Sequence, residues 1–472
     1  MATPLFVSVP SSPGWEEDQS NPAAAYQAVV VDRNLQGSSI PAWTQLGNDI
    51  DGAATYGQFA YSVSLSGNGL VLAAGAPYHD ANKGRVRVYE YNPVSLAWSQ
   101  LGPDIDGEAS GDEFGSSVSL SDDGFVLAVA APKNDGNGSN SGHVRVYIYN
   151  HLCSSWDKRG DDIDGEAAGD DSGRSISLSS DGGILAVGAP SNDGNGNIDP
   201  DSGHVRVYKY DNALNSWDKL GNDIDGGSYN VRSAESVSLS GNGDVLAVGA
   251  IQVNANGNTS TGRAQVFKYN NANNSWDQVG ADIFGEGAYD NSGSSVSLSS
   301  DGGVLAVGAR GNSGINGQYS GHVRVYKYNI ASNSWNQVGA DIDGEAASDS
   351  FGSSVSLSSD GGMVAVGAPF NDANGISNSG HVRVYKYNNG NNSWDQVGAD
   401  IDGEAADDRS GWSVSLSNDG GVLAVGAYQA DSNGLTNNGR VRVYSKPVSR
   451  NIIHHYFIQH VTCHLTFQSG SH

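Results

Sequence analysis

Apolar and polar residues alternate along the chain with a period of two and never with a helical period. The stretch Ser292 to Ile342 shows the unit. SGSSVSLSS sets Val296 and Leu298 two residues apart among small polar residues, and Asp301-Gly302 marks a turn. GVLAVGA is a short apolar run of the kind a strand covered on both faces shows. GHVRVYKY alternates again, NIASNS turns, and WNQVGADI completes four predicted strands joined by hairpins. Trp43, Trp98, Trp156, Trp217, Trp276, Trp335 and Trp394 repeat this frame at intervals of 55, 58, 61, 59, 59 and 59 residues. A fixed period of that size in a strand-only pattern predicts a propeller.

The first hairpin turn is Asn68-Gly69, Asp123-Gly124, Asp181-Gly182, Asn242-Gly243, Asp301-Gly302, Asp360-Gly361 and Asp419-Gly420. These dipeptides predict type I′ turns between antiparallel strands. Seven first strands begin near Tyr61, Ser116, Ser175, Ser236, Ser294, Ser353 and Ser413. The seventh unit ends at residues 441–445 with no Trp-led strand after it, whereas the chain starts with an orphan one, WTQLGNDI, at residues 43–50. The expected fold is therefore all-β: a seven-bladed β-propeller of four-stranded antiparallel blades, closed by an N-terminal outer strand, which removes exposed sheet edges. Residues 1–42 form an N-terminal extension, 43–445 the propeller, and 446–472 a His-rich tail outside the repeat. QAVVVD at residues 27–32 imitates a third strand: it competes with 441–445 for a place in blade seven, packs as an extra strand or lies loose, and the pattern leaves these options open.

Blade six reads Phe351-Gly352, then Gly367-Ala368-Pro369, then Gly380 to Tyr385; blade two has Phe114-Gly115 and Ala130-Ala131-Pro132, and blade one has Phe59-Ala60 and Gly75-Ala76-Pro77. This resembles the FG-GAP repeat of integrin-alpha-like propellers over residues 43–445. The resemblance implies the fold, and fold alone does not imply an activity. Some blades of that family carry calcium in the first hairpin. Here that hairpin is only Asp-Gly or Asn-Gly, so the family's calcium site does not carry over to that place.

Composition narrows the partners. Asp plus Glu number 52 against 25 Lys plus Arg, a net charge of −27. That balance argues against nucleic acid and anionic membranes, which select basic patches. No apolar run is long enough for a membrane span. Cys153 and Cys463 imply no disulfide framework and no zinc spacing. No signal peptide is legible at the start, and sequons at Asn137, Asn258, Asn273 and Asn391 give weak support for export.

Two acidic elements recur. In the loop at 192–203, Asp193, Asn195, Asn197, Asp199 and Asp201 offer oxygen at alternate positions, a pattern calcium takes. The structural alternative is a turn that bonds its own backbone. The DIDGEA segment recurs as Asp104/Asp106/Glu108, Asp162/Asp164/Glu166, Asp341/Asp343/Glu345 and Asp400/Asp402/Glu404. Its repetition favours scaffolding or a multivalent acidic rim over a catalytic pair, which needs one tuned environment. Arg87, Arg145, Arg206, Arg324, Arg383 and Arg442 sit mid-way in the third strands. Blade four has Gln265 there, and Phe284 where other blades have the second Asp of Asp-Ile-Asp. Loss of both together suggests that Arg and the second Asp pair.

A single specific site should break the repeat. Tyr229, Arg232 and Glu235 replace the usual Gly-Asp-x-x-Gly, and Arg310 replaces Pro, so these four are the candidate ligand-binding residues, against the plain alternative of drift. The tail histidines His454, His455, His460 and His464 match no zinc signature. The expected function is a secreted or cell-surface binding or adhesion module, a monomer, presenting polar loops to carbohydrate, matrix or protein, with calcium as the one cofactor to test. The alternatives are a carbohydrate-active hydrolase or lyase, which lacks a unique catalytic constellation here, and a propeller with no ligand of its own.

Overall fold

The computed structural model describes residues 42–193, 201–227 and 230–447. Seven antiparallel sheets follow one another around an axis. In blade five the inner strand is Ser292–Leu298, the second Val304–Ala309, the third His322–Asn329 and the outer Ser334–Gln337. The outer strand then swings away and returns as Ile342–Asp343, pairing with the first residues of the same third strand. Gly339 sits in that excursion at φ +76°, and a Cβ there would lie 2.7 Å from Cδ1 of the next blade's Trp394. Positive φ and close approach both demand glycine.

Blade seven closes as the strand count requires. Thr44–Gln45 pairs with Ser445 and Tyr444, and Ile50–Asp51 pairs with Val441 and Arg440. Residues 441–445 thus hold the third-strand place, and residues 27–32 lie outside the described residues.

The seven large apolar clusters each draw on two neighbouring blades, because a sheet cannot cover its own faces. Ala306, Val323 and Val325 of blade five pack with Leu357, Val364 and Val366 of blade six, all buried. Three rings of hydrogen bonds add direction to this packing. At the rim, the seven repeat indoles each donate to a carbonyl of the preceding blade at 2.8–2.9 Å, from Trp43 to Val397 round to Trp394 to Val338. Nearer the axis, the second Ser of each S-V-S-L or S-I-S-L strand accepts the Leu amide of the following blade, as Ser64 does from Leu120 and Ser415 from Leu65. These serines satisfy the otherwise orphaned edge of each inner strand.

The third ring lies at the hairpin end of the axis. Gly67 donates its amide to Asp122, Asp122 to Ser180, Ser180 to Gly241, Gly241 to Ser300, Ser300 to Ser359, Ser359 to Asn418, and Asn418 back to Gly67, all at 2.8–2.9 Å. This end is narrow: Asn418 Nδ2 reaches Asp122 Oδ2 across Gly67 at 2.9 Å. The turns beside it differ from the type I′ expectation. Gly69 has φ +70°, but Asn68 does not have positive φ. Asn68 Oδ1 instead accepts the Leu70 amide and the Ser66 hydroxyl, and Gly69 donates to Ser66 O. The loop is a longer Asx-type turn, which puts Asn or Asp before the left-handed glycine.

Candidate functional site

The opposite end of the axis is built differently. Each inner strand starts there and each second strand ends there. The residue heading each inner strand is Tyr61, Ser116, Arg174, Glu235, Ser294, Ser353 or Trp412, while the S-V-S-L type of sequence that follows hardly varies. Three residues earlier in each blade stand Gln58, Glu113, Asp171, Arg232, Asn291, Ser350 and Arg409, all at φ between +49° and +58°. The left-handed region costs a non-glycine residue roughly 1–2 kcal/mol. Each is held in it by its amide, which donates to the second-to-third loop of the preceding blade, as Arg232 does to Asp201 O at 3.1 Å. Strain carried by variable side chains at one mouth is a pointer to function.

The side chains at this mouth divide in two. On one side, Tyr61 of blade one stands 5.7 Å from Trp412 and 5.6 Å from Tyr428 of blade seven, and 6.0 Å from Tyr78. Trp412 and Tyr428 are 4.7 Å apart. Burial, with Tyr61 and Glu113 adding to it, pushes the Tyr78 phenol up to about 12, and burial raises Tyr428 too. These phenols are neutral donors at any physiological pH. Arg409 stacks over Phe370 at 4.5 Å and reaches Gln429 Oε1 at 2.6 Å.

On the other side, Arg174 of blade three and Arg232 both reach Glu235, at 3.4 Å and 3.5 Å. Burial works against the charge of Arg174, and Glu235 and Tyr61 more than offset it, so its pKa stands above the ordinary arginine value. Arg174 thereby links blade three to blades one and four, which only residues close to the axis can do. Lys133 pairs with Asp171 at 2.6 Å. Burial raises the Glu113 carboxyl against the pull of Lys133 and Arg174.

Two of the four sequence candidates, Arg232 and Glu235, therefore meet in this mouth. Arg310 occupies in blade five the place that Tyr428 occupies in blade seven, and its side chain has no hydrogen bond or ion pair among the described residues. Tyr229 lies outside the described residues. Sequence reading missed Tyr61, Tyr78, Arg174, Trp412 and Tyr428. The signal was present as one variable column ahead of an invariant strand.

The DIDGEA segments have a structural explanation. In blades one, two and six the Arg fork goes to the first Asp of Asp-Ile-Asp and not to the second, Arg87 to Asp104, Arg145 to Asp162 and Arg383 to Asp400, at 2.7–3.0 Å, while Arg324 and Arg442 donate to Phe284 O and Asp402 O of the preceding blade. The register explains this correction. His143 lies opposite Asp164 and Val144 opposite Ile163, so the second Asp faces a residue two places before the arginine. Blade four keeps its first Asp, Asp282, bonded to Gln265 at 2.9 Å and to Arg263 at 3.0 Å. The Glu of each segment crosses to the next blade, where Glu108 meets Arg145, Glu166 meets Arg206 and Glu345 meets Arg383.

Four of these junctions gather a buried His with Glu and Asp: His143, His204, His322 and His381. Such a trio suits a metal ion, but at Glu108, Glu166 and Glu345 a guanidinium already bridges to the carboxylates. Burial lowers all four imidazoles against the upward pull of the nearby carboxylates, His322 to about 4. Between blades five and six a cavity of about 470 Å³ opens on the same face, lined by Glu345, Asp349, Phe370, Asp372, His381 and Asp402 among others.

Of the proposed calcium loop, Asn195, Asn197 and Asp199 lie outside the described residues. Asp193 Oδ1 accepts the Asp201 amide at 3.2 Å. Asp135, Asn254, Asp372 and Asp431 close the equivalent loops of other blades in the same way. That bond belongs to loop closure.

Comparison with known proteins supports the architecture. Residues 105–149, 341–385 and 400–444 match the FG-GAP repeat. No curated protein matches. Among solved structures, a candidate 6-phosphogluconolactonase from Bacteroides uniformis aligns at a TM-score of 0.51 and 13% identity, covering 73% of this chain and 86% of that one. A similar protein from Bacteroides fragilis aligns at 0.46 and 11%, over 73% and 85%. At such identity the likeness is one of fold.

Proposed function

The chain is an FG-GAP-repeat seven-bladed β-propeller, and we propose from that premise that it is a carbohydrate-binding module whose ligand sits at the axial mouth opposite the hairpin ring. The observation that carries this reading is the aromatic group of Tyr61, Trp412 and Tyr428, with ring centroids 4.7–5.7 Å apart, facing a charged group around Arg174 and Glu235. A sugar has an apolar face and a polar edge, and a site of aromatic rings with a few fixed polar groups matches both. At this mouth the residues that head the inner strands differ from blade to blade while the strand that follows hardly varies, as a single specific site requires. The acidic rim of DIDGEA segments is spent on blade-to-blade ion pairs, which favours a binding role over chemistry there. The module acts outside the cell or at its surface, consistent with polar loops and net charge of −27.

Glycan-array binding followed by calorimetry on the full chain tests this. Trp412→Ala and Tyr428→Ala are expected to abolish binding while the melting transition stays cooperative. Unchanged affinity in both variants would remove the mouth from consideration, and a sugar product released in the mixture would replace binding with catalysis.

A further inference from the structure

The arginines of this chain fall into two sets. Those on the third strands are committed at short range, forked onto carboxylates as Arg87 is onto Asp104 at 2.8 and 3.0 Å, or given to a backbone carbonyl as Arg324 is to Phe284 O at 2.8 Å and Arg442 to Asp402 O at 2.9 Å. Those at the axial mouth are not. Arg174 and Arg232 share the single carboxylate of Glu235, at 3.4 Å or more. Arg409 reaches only the neutral amide of Gln429 and the face of Phe370. Arg310 has no partner among the described residues. All four are partly exposed. Arg159, at the rim, also has no carboxylate partner, but it is spent on Gly182 O at 2.9 Å and on the face of Tyr210 at 4.0 Å, whereas Arg310 and Arg409 bring guanidinium charge without a carboxylate partner among the described residues to the end of the axis where the ligand is placed.

We infer that the ligand supplies the missing group: the mouth takes a carboxylate-bearing sugar, a uronic-acid-type residue, its ring against the partly exposed Tyr61 and Trp412, which the buried Tyr428 backs, and its carboxylate on the guanidinium side. Resting on the carbohydrate reading above, this names the class of sugar. Planar guanidinium forks match carboxylates in two-point geometry, which an alcohol cannot reproduce. The length of the ligand is bounded as well. Glu108, Glu166, Glu345 and Glu404 stand exposed around the same face and already occupy the third-strand guanidiniums, so a long polyanion laid across it finds no free cation there. A terminal acidic residue entering along the axis meets the arginines of the mouth instead.

Calorimetry on the full chain with methyl glucuronide, methyl glucoside and acetate separates the cases. The glucuronide is expected to bind at least about tenfold tighter than the glucoside, a difference of ~1.4 kcal/mol, and added salt should erode that gap. Arg310→Gln and Arg409→Gln leave no carboxylate unpaired, so the fold should hold, and they should bring the glucuronide down toward the glucoside. Equal binding of the two sugars, or an unchanged ratio in both variants, overturns the inference and leaves the carbohydrate reading standing. Acetate binding as tightly as glucuronide, or neither sugar binding, overturns both.

Discussion

Removing the indole of Trp43 should open the ring at its seam, and removing that of Trp276 should not. The two residues make nearly the same contacts. Trp43 is 7% exposed and donates to Val397 O at 2.8 Å; Trp276 is 9% exposed and donates to Leu220 O at 2.9 Å. Trp→Ala in such a site costs about 3–5 kcal/mol, of which the lost hydrogen bond accounts for roughly 1 kcal/mol. The propeller spans roughly 400 residues. An unfolding entropy of ~2.1 cal/mol/K per residue then puts the drop in Tm near 5 °C for either variant. Kinetic behaviour differs. The outer strand after Trp276 is continuous with its own blade at both ends. The segment 43–51 is held to blade seven without a covalent link to it, by the pairs with Tyr444, Ser445, Val441 and Arg440, the Leu46 to Val443 bond, the ion pairs of Arg440 with Asp51 and Asp49, and side-chain bonds from Asn433 to Asp51 and from Ser445 to Thr44. Trp43→Ala therefore lowers the free energy of peeling that segment by most of the same 3–5 kcal/mol, which speeds exchange of the Leu46 amide by about 10² or more. Hydrogen exchange read by mass spectrometry gives the answer. If Leu46 in Trp43→Ala and Val279 in Trp276→Ala exchange at matching rates, closure by the first strand is not the weak joint we take it to be.

Ser238→Ala strips the acceptor from the Leu298 amide, which now bonds Ser238 Oγ at 3.0 Å between blades. Chemical denaturation should show a loss of about 1–3 kcal/mol, the cost of an unpaired buried donor; a change below ~0.5 kcal/mol would mean that water takes the place of the hydroxyl. Acid should destabilise the ring before the carboxylates titrate. The folded pKa of His322 is depressed to about 4, so between the unfolded value of 6.5 and 4 the unfolded chain binds the extra proton. Stability then falls with falling pH across that window, by on the order of 3 kcal/mol for this residue. The Tm of His322→Gln should fall less steeply between pH 6.5 and 4 than that of the parent, and parallel slopes would contradict the assignment.

The fold was legible because each of its devices is repeated. Seven tryptophans, seven Asn/Asp-Gly turns and seven S-V-S-L-type strands sit in register, and any one of them would have set the blade count. What escaped was side-chain direction across blades. Nothing in the chain order says that Ser64 meets Leu120, or that Arg174 faces both Tyr61 and Glu235, because those contacts join residues 56 to 113 positions apart. The Arg–Asp pairing was assigned to the wrong carboxylate for a related reason. An extended reading of Asp-Ile-Asp misses the excursion at the preceding glycine, which folds the first Asp back beneath the arginine. Arg232 and Glu235 stand out in the sequence because they break the repeat, and the structure brings them within 3.5 Å of one another. Tyr61 and Trp412 do not stand out in that way, because they lie in blades that otherwise obey the repeat.

The blades leave each other no slack near the axis. A methyl group on Gly75, Gly249 or Gly367 would stand 2.0 Å from the carbonyl oxygen of the next blade. A ligand therefore cannot be accommodated by spreading the wedges. Selectivity has to be written in the side chains that head the inner strands, and these can be exchanged without disturbing the bonds that hold the circle. The propeller is in that sense a fixed dial with seven settable positions, and new specificities could be drawn from a library confined to them.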